Sequence, residues 1–198
     1  MRARKGCVTA SVIGQIYSMR VKTDPHRLVA DINQQNVKDL SHVPAIAHGI
    51  KFEDAARLFY ANKYNVDIES RGFMLHPIHE WLGASTDGFI NETNTALEIK
   101  CHMPVEGKTK LIELIQLHKS WFLLENNGQL TISKKHKYFY QCQIQMACLD
   151  VNQCVFIVYL YEKDGTFQDF YSEIVHRDDD LIACLVAKAQ SFHEQYLK

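Results

Sequence analysis

The chain of 198 residues carries almost no net charge, with 22 Lys and Arg against 23 Asp and Glu and a formal balance of -1. That balance excludes a whole-molecule field that gathers polyanions, so affinity for nucleic acid has to come from local patches or bound cations. No apolar run approaches the ~20 residues of a membrane span, and the opening Met1-Arg2-Ala3-Arg4-Lys5 lacks the apolar stretch of a secretory signal. A soluble, intracellular protein with no membrane partner is expected. Only four prolines occur (Pro25, Pro44, Pro77, Pro104), too dispersed to mark a linker, and there is no internal repeat. The six cysteines (Cys7, Cys101, Cys142, Cys148, Cys154, Cys184) show no C-x-x-C spacing. This removes support for a zinc ribbon, a thioredoxin-type pair or an iron-sulfur cluster. They read as small core residues of a reducing compartment.

What is there suffices for one packed α/β domain over residues 1–198, with 46% hydrophobic residues and too little length for two domains. Val12, Ile13 and Ile16 fall at helical spacing and predict a first helix over 9–18, with Thr9 or Ser11 as its N-cap. Ile50, Ala55, Leu58, Phe59 and Ala61 give one broad apolar face to a second helix over 48–64. Short β-prone runs at 66–75, 81–90 and 96–101 predict an antiparallel meander. The polar Asn91-Glu92-Thr93-Asn94-Thr95 forms the hairpin between its last two strands. Beyond Pro104, residues 110–124 are expected to be partly helical, Asn126-Asn127-Gly128 to turn, and 137–150 to form a stronger helix. Strands at 154–161 and 167–175 flank a turn at Lys163-Asp164-Gly165. An amphipathic helix over 178–196 closes the chain. Helices before, between and after strands predict an α/β or α+β layered domain.

The chemistry concentrates in Gly83-Ala84-Ser85-Thr86-Asp87-Gly88 and Leu97-Glu98-Ile99-Lys100. The strand period of two sends Glu98 and Lys100 to one face and Ile99 to the other. The hairpin brings Asp87 alongside. Two carboxylates can then hold Mg²⁺ through oxygen ligands, while Lys100 positions or helps deprotonate an attacking water. Such hairpins also occur as ordinary cross-strand salt bridges, so the flanking residues matter.

Those residues carry a resemblance. Gly83-Ala84-Ser85-Thr86-Asp87-Gly88 resembles the Gly-x-Ser-Pro-Asp-Gly run of YqaJ-type and lambda-exonuclease-like nucleases, and Leu97-Glu98-Ile99-Lys100-Cys101 is similar to that family's next motif. Upstream, Arg4 with Thr9-Ala10-Ser11 resembles its phosphate-contacting Arg and Thr-Ala-Ser. Gly49-Ile50-Lys51-Phe52-Glu53 resembles the helix that bears a metal-facing glutamate. Downstream, Tyr140-Gln141-Cys142-Gln143-Ile144-Gln145-Met146 resembles its Tyr-x-Gln-Val-Gln helix, whose first glutamine lies near the scissile phosphate. That role carries to Gln141, although the spacing also admits Gln143. The motifs occur in the family's order over about Arg4 to Tyr161, with Thr86 departing from the usual proline.

The resemblance implies a restriction-endonuclease-like PD-(D/E)XK core, a central mixed sheet flanked by helices. It further implies a metal-dependent DNA exonuclease acting 5′ to 3′ on duplex ends in recombination, repair or viral replication. The implied catalytic residues are Asp87, Glu98, Lys100 and Gln141. The implied metal ligands are Glu53, Asp87, Glu98 and the Ile99 carbonyl, with Arg4, Thr9 and Ser11 on phosphate. The cofactor is Mg²⁺, with Mn²⁺ substituting, and the partners are DNA, further copies of the chain and a single-strand annealing protein. An endonuclease with the same core and a non-catalytic DNA-binding scaffold are the competing readings.

Other groups are less specific. Lys134-Lys135-His136-Lys137, with Lys108, Lys110 and Lys119, suits a polyanion contact and an ordinary solvated face equally. His76, His79 and His102 lack a compact ligand set for zinc. Trp81, Trp121, Phe122 and residues 138–140 read mostly as core, with room for one exposed ring to stack on a terminal base.

Overall fold

The computed structural model describes residues 5–33, 44–105, 107–117, 121–162 and 164–198, with only the backbone given over 44–51. It opens with β1 (Val8–Thr9), α1 (Ala10–Ser18), α2 (His26–Ile32) and α3 (Pro44–Tyr64). Five strands follow: β2 (Ile68–Glu69), β3 (Met74–Leu75), β4 (Leu82–Ala84), β5 (Gly88–Ile90) and β6 (Thr95–His102). Then come α4 (Leu111–Leu117), the hairpin β7 (Leu123–Asn126) and β8 (Gln129–Ile132), and α5 (Lys137–Leu149). The chain ends with β9 (Gln153–Tyr161), β10 (Phe167–His176) and α6 (Asp179–Tyr196).

The Val-, Ile- and Tyr-rich strand β9 is buried along nearly its whole length, as expected of a strand covered on both faces. It pairs antiparallel with β10 and parallel with β6, giving a mixed five-stranded sheet in the order β10-β9-β6-β5-β2. Alternation along β6 divides its side chains between two layers. Leu97 and Ile99 join Phe52, Ala56 and Tyr60 of α3 in one apolar cluster. Ala96 faces the opposite side, among Cys142 and Met146 of α5. A third cluster holds α1 against α5 and α6 through Ile13, Ile16, Ile144, Leu185 and Phe192. The mixed sheet flanked by helices agrees with the expected architecture.

Two expectations need correction. The region 66–101 is not one meander: β1, β4 and β3 form a separate three-stranded sheet, in which β4 runs parallel to β1 and antiparallel to β3. The run 81–90 is therefore two strands, one in each sheet, and 66–75 contributes only the short β2 and β3. Residues 110–124 are partly helical, as expected: α4 covers Leu111–Leu117, and from Leu123 the chain is strand, paired with Gln129–Ile132 across the expected turn. Strand β1 and helix α2, both very short, carry no periodic signal of their own.

Candidate functional site

The chain changes sheets between Ala84 and Gly88, so residues 85–87 stand at the seam rather than inside a ladder. The Asp87 N–H donates to the Leu97 carbonyl at 2.9 Å, placing Asp87 against the middle of β6. Its carboxylate Oδ2 accepts the Ile99 N–H at 2.6 Å. Strand periodicity turns the Leu97 and Ile99 backbone groups the same way, and β5 pairs with β6 no further than Gly88 opposite Leu97. The Ile99 carbonyl therefore leaves β6 on the side where Asp87 stands.

Glu98 is 1% exposed, on the face of β6 that looks toward α5. One carboxylate oxygen is paired with Lys100 Nζ, and the other accepts from Gln145 Nε2 at 2.5 Å. Gln145 Nε2 also donates to the Ser85 carbonyl at 2.9 Å, so one buried amide ties α5 to both the crossing segment and Glu98. From the opposite layer, Arg57 Nε donates to the Asp87 carbonyl at 2.6 Å, while its Nη2 reaches Glu53 Oε1 at 3.3 Å. Arg57 and Gln145 are the two functional-site residues that sequence reading missed. Both act through residues distant in the chain, which periodicity does not report.

Helical spacing puts Gln141 and Gln145 on one face of α5 and Gln143 on the other. Gln143 is fully buried, donating to the His176 carbonyl and accepting the Asp178 N–H, both at 2.9 Å. Gln141 instead lines a cleft of about 220 Å³ together with Thr9, Ser11, Ser85 and Asp87. Of the two glutamines, only Gln141 lines this cleft. Thr9 occupies the N-cap position of α1 without a side-chain capping bond, and its hydroxyl lies 2.9 Å from that of Ser11. Arg4 and Lys119 lie outside the described residues. Thr86 is 8% exposed, and its hydroxyl meets no hydrogen-bonding partner among the described residues.

The electrostatics of the centre are short of positive charge. Burial, followed by the negative charge of Glu98, pushes the Asp87 carboxyl up to about 8, against the opposing pull of Lys100 and the Ile99 N–H. Burial also raises Glu53, offset in part by Arg57. Lys100 is raised above its ordinary range: burial works against its charge, but Glu98 and Asp87 outweigh that effect. Among the described residues no three His, Cys, Asp or Glu side chains already converge as a metal cluster. The donors near Asp87 are nevertheless all hard oxygens, three mutually repelling carboxylates and a peptide carbonyl, and this set fits a hard divalent cation.

Mixed sheet, flanking helices and acid–lysine strand together define a lambda-exonuclease-like nuclease fold of the PD-(D/E)XK class. The chain belongs to the YqaJ-like viral recombinase domain family, whose model matches residues 1–152. Nucleases of this family generally use divalent metal ions. Among solved structures the chain is similar to an alkaline exonuclease from Laribacter hongkongensis, with 25% identity, a TM-score of 0.72, and coverage of 98% of this chain and 90% of that one. That exonuclease is also solved in complex with dAMP. A phage-related exonuclease from Haemophilus somnus 129PT shares the fold at 14% identity and a TM-score of 0.60, covering 96% of this chain and 94% of that one. An uncharacterised protein of Acanthamoeba polyphaga mimivirus is 26% identical over 132 residues, which is 65% of this chain and 22% of the relative's length. The chain thus corresponds to a small part of that relative.

Proposed function

We propose that the chain, acting as a single nuclease domain, is a divalent-cation-dependent deoxyribonuclease that hydrolyses phosphodiester bonds from DNA ends. The observation that carries this reading is the meeting of Asp87, Gln141, Thr9 and Ser11 around one cleft, with Glu98 and Lys100 immediately behind Asp87. Similarity to an alkaline exonuclease solved with a deoxynucleoside monophosphate supports DNA and end-directed release. Action 5′ to 3′ on duplex ends in recombination, repair or viral replication follows the family resemblance. So do self-association and a single-strand annealing partner.

Glu53, Asp87, Glu98 and the Ile99 carbonyl would hold the cation, Mg²⁺ in the cell with Mn²⁺ substituting. Bound there, it supplies charge stabilisation at the phosphoryl oxygens and lowers the pKa of the attacking water. Lys100, paired with Glu98 at the edge of the centre, would position the attacking water or help deprotonate it. Gln141 presents an amide that orients the water and donates to the phosphate, a positioning role suited to a group too weak to be a base. Thr9 and Ser11, at the start of α1, offer hydroxyls and helix-terminal N–H groups to a neighbouring phosphate, and the family resemblance assigns Arg4 to phosphate as well.

The test is degradation of an end-labelled linear duplex beside a closed circle, with Mg²⁺, with EDTA, and with Lys100→Ala. Progressive loss of the linear DNA alone, abolished by EDTA and by the substitution, is the expected result. Cutting of the circle would reassign the protein as an endonuclease, and no metal-dependent cutting of either would leave a DNA-binding scaffold.

A further inference from the structure

Two stripes of side chains lead outward from the buried carboxylate. Along β6 the period of two carries the Glu98 face on through Lys100 to His102, and exposure grows in that direction, Glu98 being 1% exposed and the Lys100 side chain 21%. Along α5 the spacing i, i+3, i+7 aligns Tyr138, Gln141 and Gln145 on one face, with Gln145 fully buried and Tyr138 partly open at the helix start. The stripes meet twice, through Gln145 on Glu98 and again where Lys100 Nζ lies 4.7 Å from the centre of the Tyr138 ring.

Beyond that second meeting point the surface is made of rings. Buried Phe122 is the hub: the centroids of His102, Tyr138 and His136 lie 5.2, 5.2 and 5.8 Å from its own. His136 and Tyr138 stand edge to face at 4.7 Å, and His102 and Trp121 at 5.5 Å. His102, Trp121, His136 and Tyr138 are all partly exposed. The orientation of His136 is fixed, since its Nδ1 accepts the Tyr138 N–H and caps α5. Burial, then the neighbouring charges of Lys137 and Lys100, hold its pKa down, which keeps it a neutral ring. Lys134 and Lys135 are exposed directly before it, and Lys137 Nζ is 5.4 Å from the Tyr138 ring.

Aromatic rings bordered by lysines and joined without a break to a phosphodiester-cutting centre match the needs of a strand whose bases are unpaired. A base in a duplex has both faces covered by its neighbours, whereas an unpaired base offers a face for stacking while cations track its phosphates. We infer that His102, Trp121, His136 and Tyr138 form a stacking shelf for unpaired nucleotides of the strand being cut, with Lys134 and Lys135 on its phosphates. The inference rests on the nuclease reading above and adds the side chains on which unpaired bases of the strand stack.

The test reads binding in EDTA, where no cleavage occurs, by anisotropy of a fluorescein-labelled twelve-residue oligothymidylate across a salt series. Trp121→Ala is expected to weaken binding about 5- to 150-fold, and Trp121→Phe to recover most of it, as base stacking on an aromatic ring requires. The double variant Lys134→Ala/Lys135→Ala changes only exposed side chains and keeps the fold. It is expected to reduce the slope of log affinity against log salt by about 1.4, from ~0.7 per phosphate contact on a single strand. Wild-type affinity in both variants would overturn the shelf. An equal loss on a blunt duplex and on the oligothymidylate would overturn its assignment to unpaired bases. Failure of the wild-type protein to cut linear DNA with Mn²⁺ would instead strike the nuclease reading, which this binding measurement does not use.

Discussion

At the scale of single residues, Asp87 carries the clearest energetic signature. Its folded value of about 8 lies above the ordinary 3.8, so the metal-free folded protein binds more protons than the unfolded chain between those limits. The contribution of this group to stability is therefore full below about 3.8 and is lost as pH rises through about 8. Asp87→Asn, which keeps an oxygen for the Ile99 N–H, should raise the melting temperature of the metal-free protein only modestly at pH 5, where most of the range up to about 8 is still to be crossed. At pH 8.5 it should raise that of the metal-free protein, by about 2–4 °C for each kcal/mol relieved. Mn²⁺ should reverse the order by stabilising only the wild type. A melting curve of Asp87→Asn that tracks wild type at both pH values would show that the carboxyl is not under charge stress. Gln145 gives a second case, because its amide holds Glu98 and the Ser85 carbonyl together. Gln145→Ala should cost about 1–3 kcal/mol and lower kcat more than KM rises, since Gln145 holds Glu98 and the backbone of Ser85 from behind and does not itself line the cleft. Asp87, Glu98 and Lys100 could be proposed from local spacing and Gln141 from the family resemblance, because these lie within short contiguous motifs. Gln145 and Arg57 could not, because on their own helices they are indistinguishable from polar surface.

At the scale of elements, the site depends on how closely two helices approach. Gly14 of α1 packs so tightly on the start of α5 that an added Cβ would lie 2.5 Å from Lys137 Cβ and 2.8 Å from its Cα. A backbone atom cannot swing away, so Gly14→Ala must push α1 from α5, at a cost of about 1–3 kcal/mol. Thr9 and Ser11 stand at the head of α1 and Gln141 on α5, facing one another across the cleft. The same substitution should therefore reduce activity beyond what the loss of folded protein explains. Gly72→Ala, where an added Cβ meets nothing within 4 Å, is the matched control and should leave melting and activity unchanged. The helices α1, α5 and α6 could be read from hydrophobic period and the strands β6, β9 and β10 from their β-prone runs. Helix α3 is placed correctly by its sequence but with the wrong face inward. It buries Phe52, Ala56 and Tyr60 and leaves Ala55 and Leu58 exposed, because β6 and β9 rather than the broadest apolar stripe set its orientation. The split of 81–90 between two sheets could not be read. Strand partners are chosen by contacts with β1 and β6, one of them more than seventy residues upstream, and no local pattern in the run encodes that choice.

At the scale of the whole molecule, the region matching the family model ends at residue 152, immediately before the strand that makes β6 an interior one. From Ala96 opposite Cys154 to His102 opposite Leu160, β9 pairs with β6 along its entire working length. Val155, Ile157 and Tyr159 of β9 share a cluster with α3, while Phe156 and Val158 share the other with α5. Without β9 the backbone N–H and C=O groups of Glu98 and Lys100 would lose their partners, and both clusters would open to water. Helix α6 adds the packing of Leu185, Ala189 and Phe192 against α1 and α5, the two helices that frame the cleft. A fragment of residues 1–152 should therefore lack a cooperative melting transition and cut no DNA, even though it contains every residue assigned here to the cation, the water and the phosphate. Circular dichroism melting and the linear-duplex assay read the two outcomes independently. A folded, active fragment would mean that β6 can serve as an edge strand and that the burial of Glu98 is not needed for the chemistry.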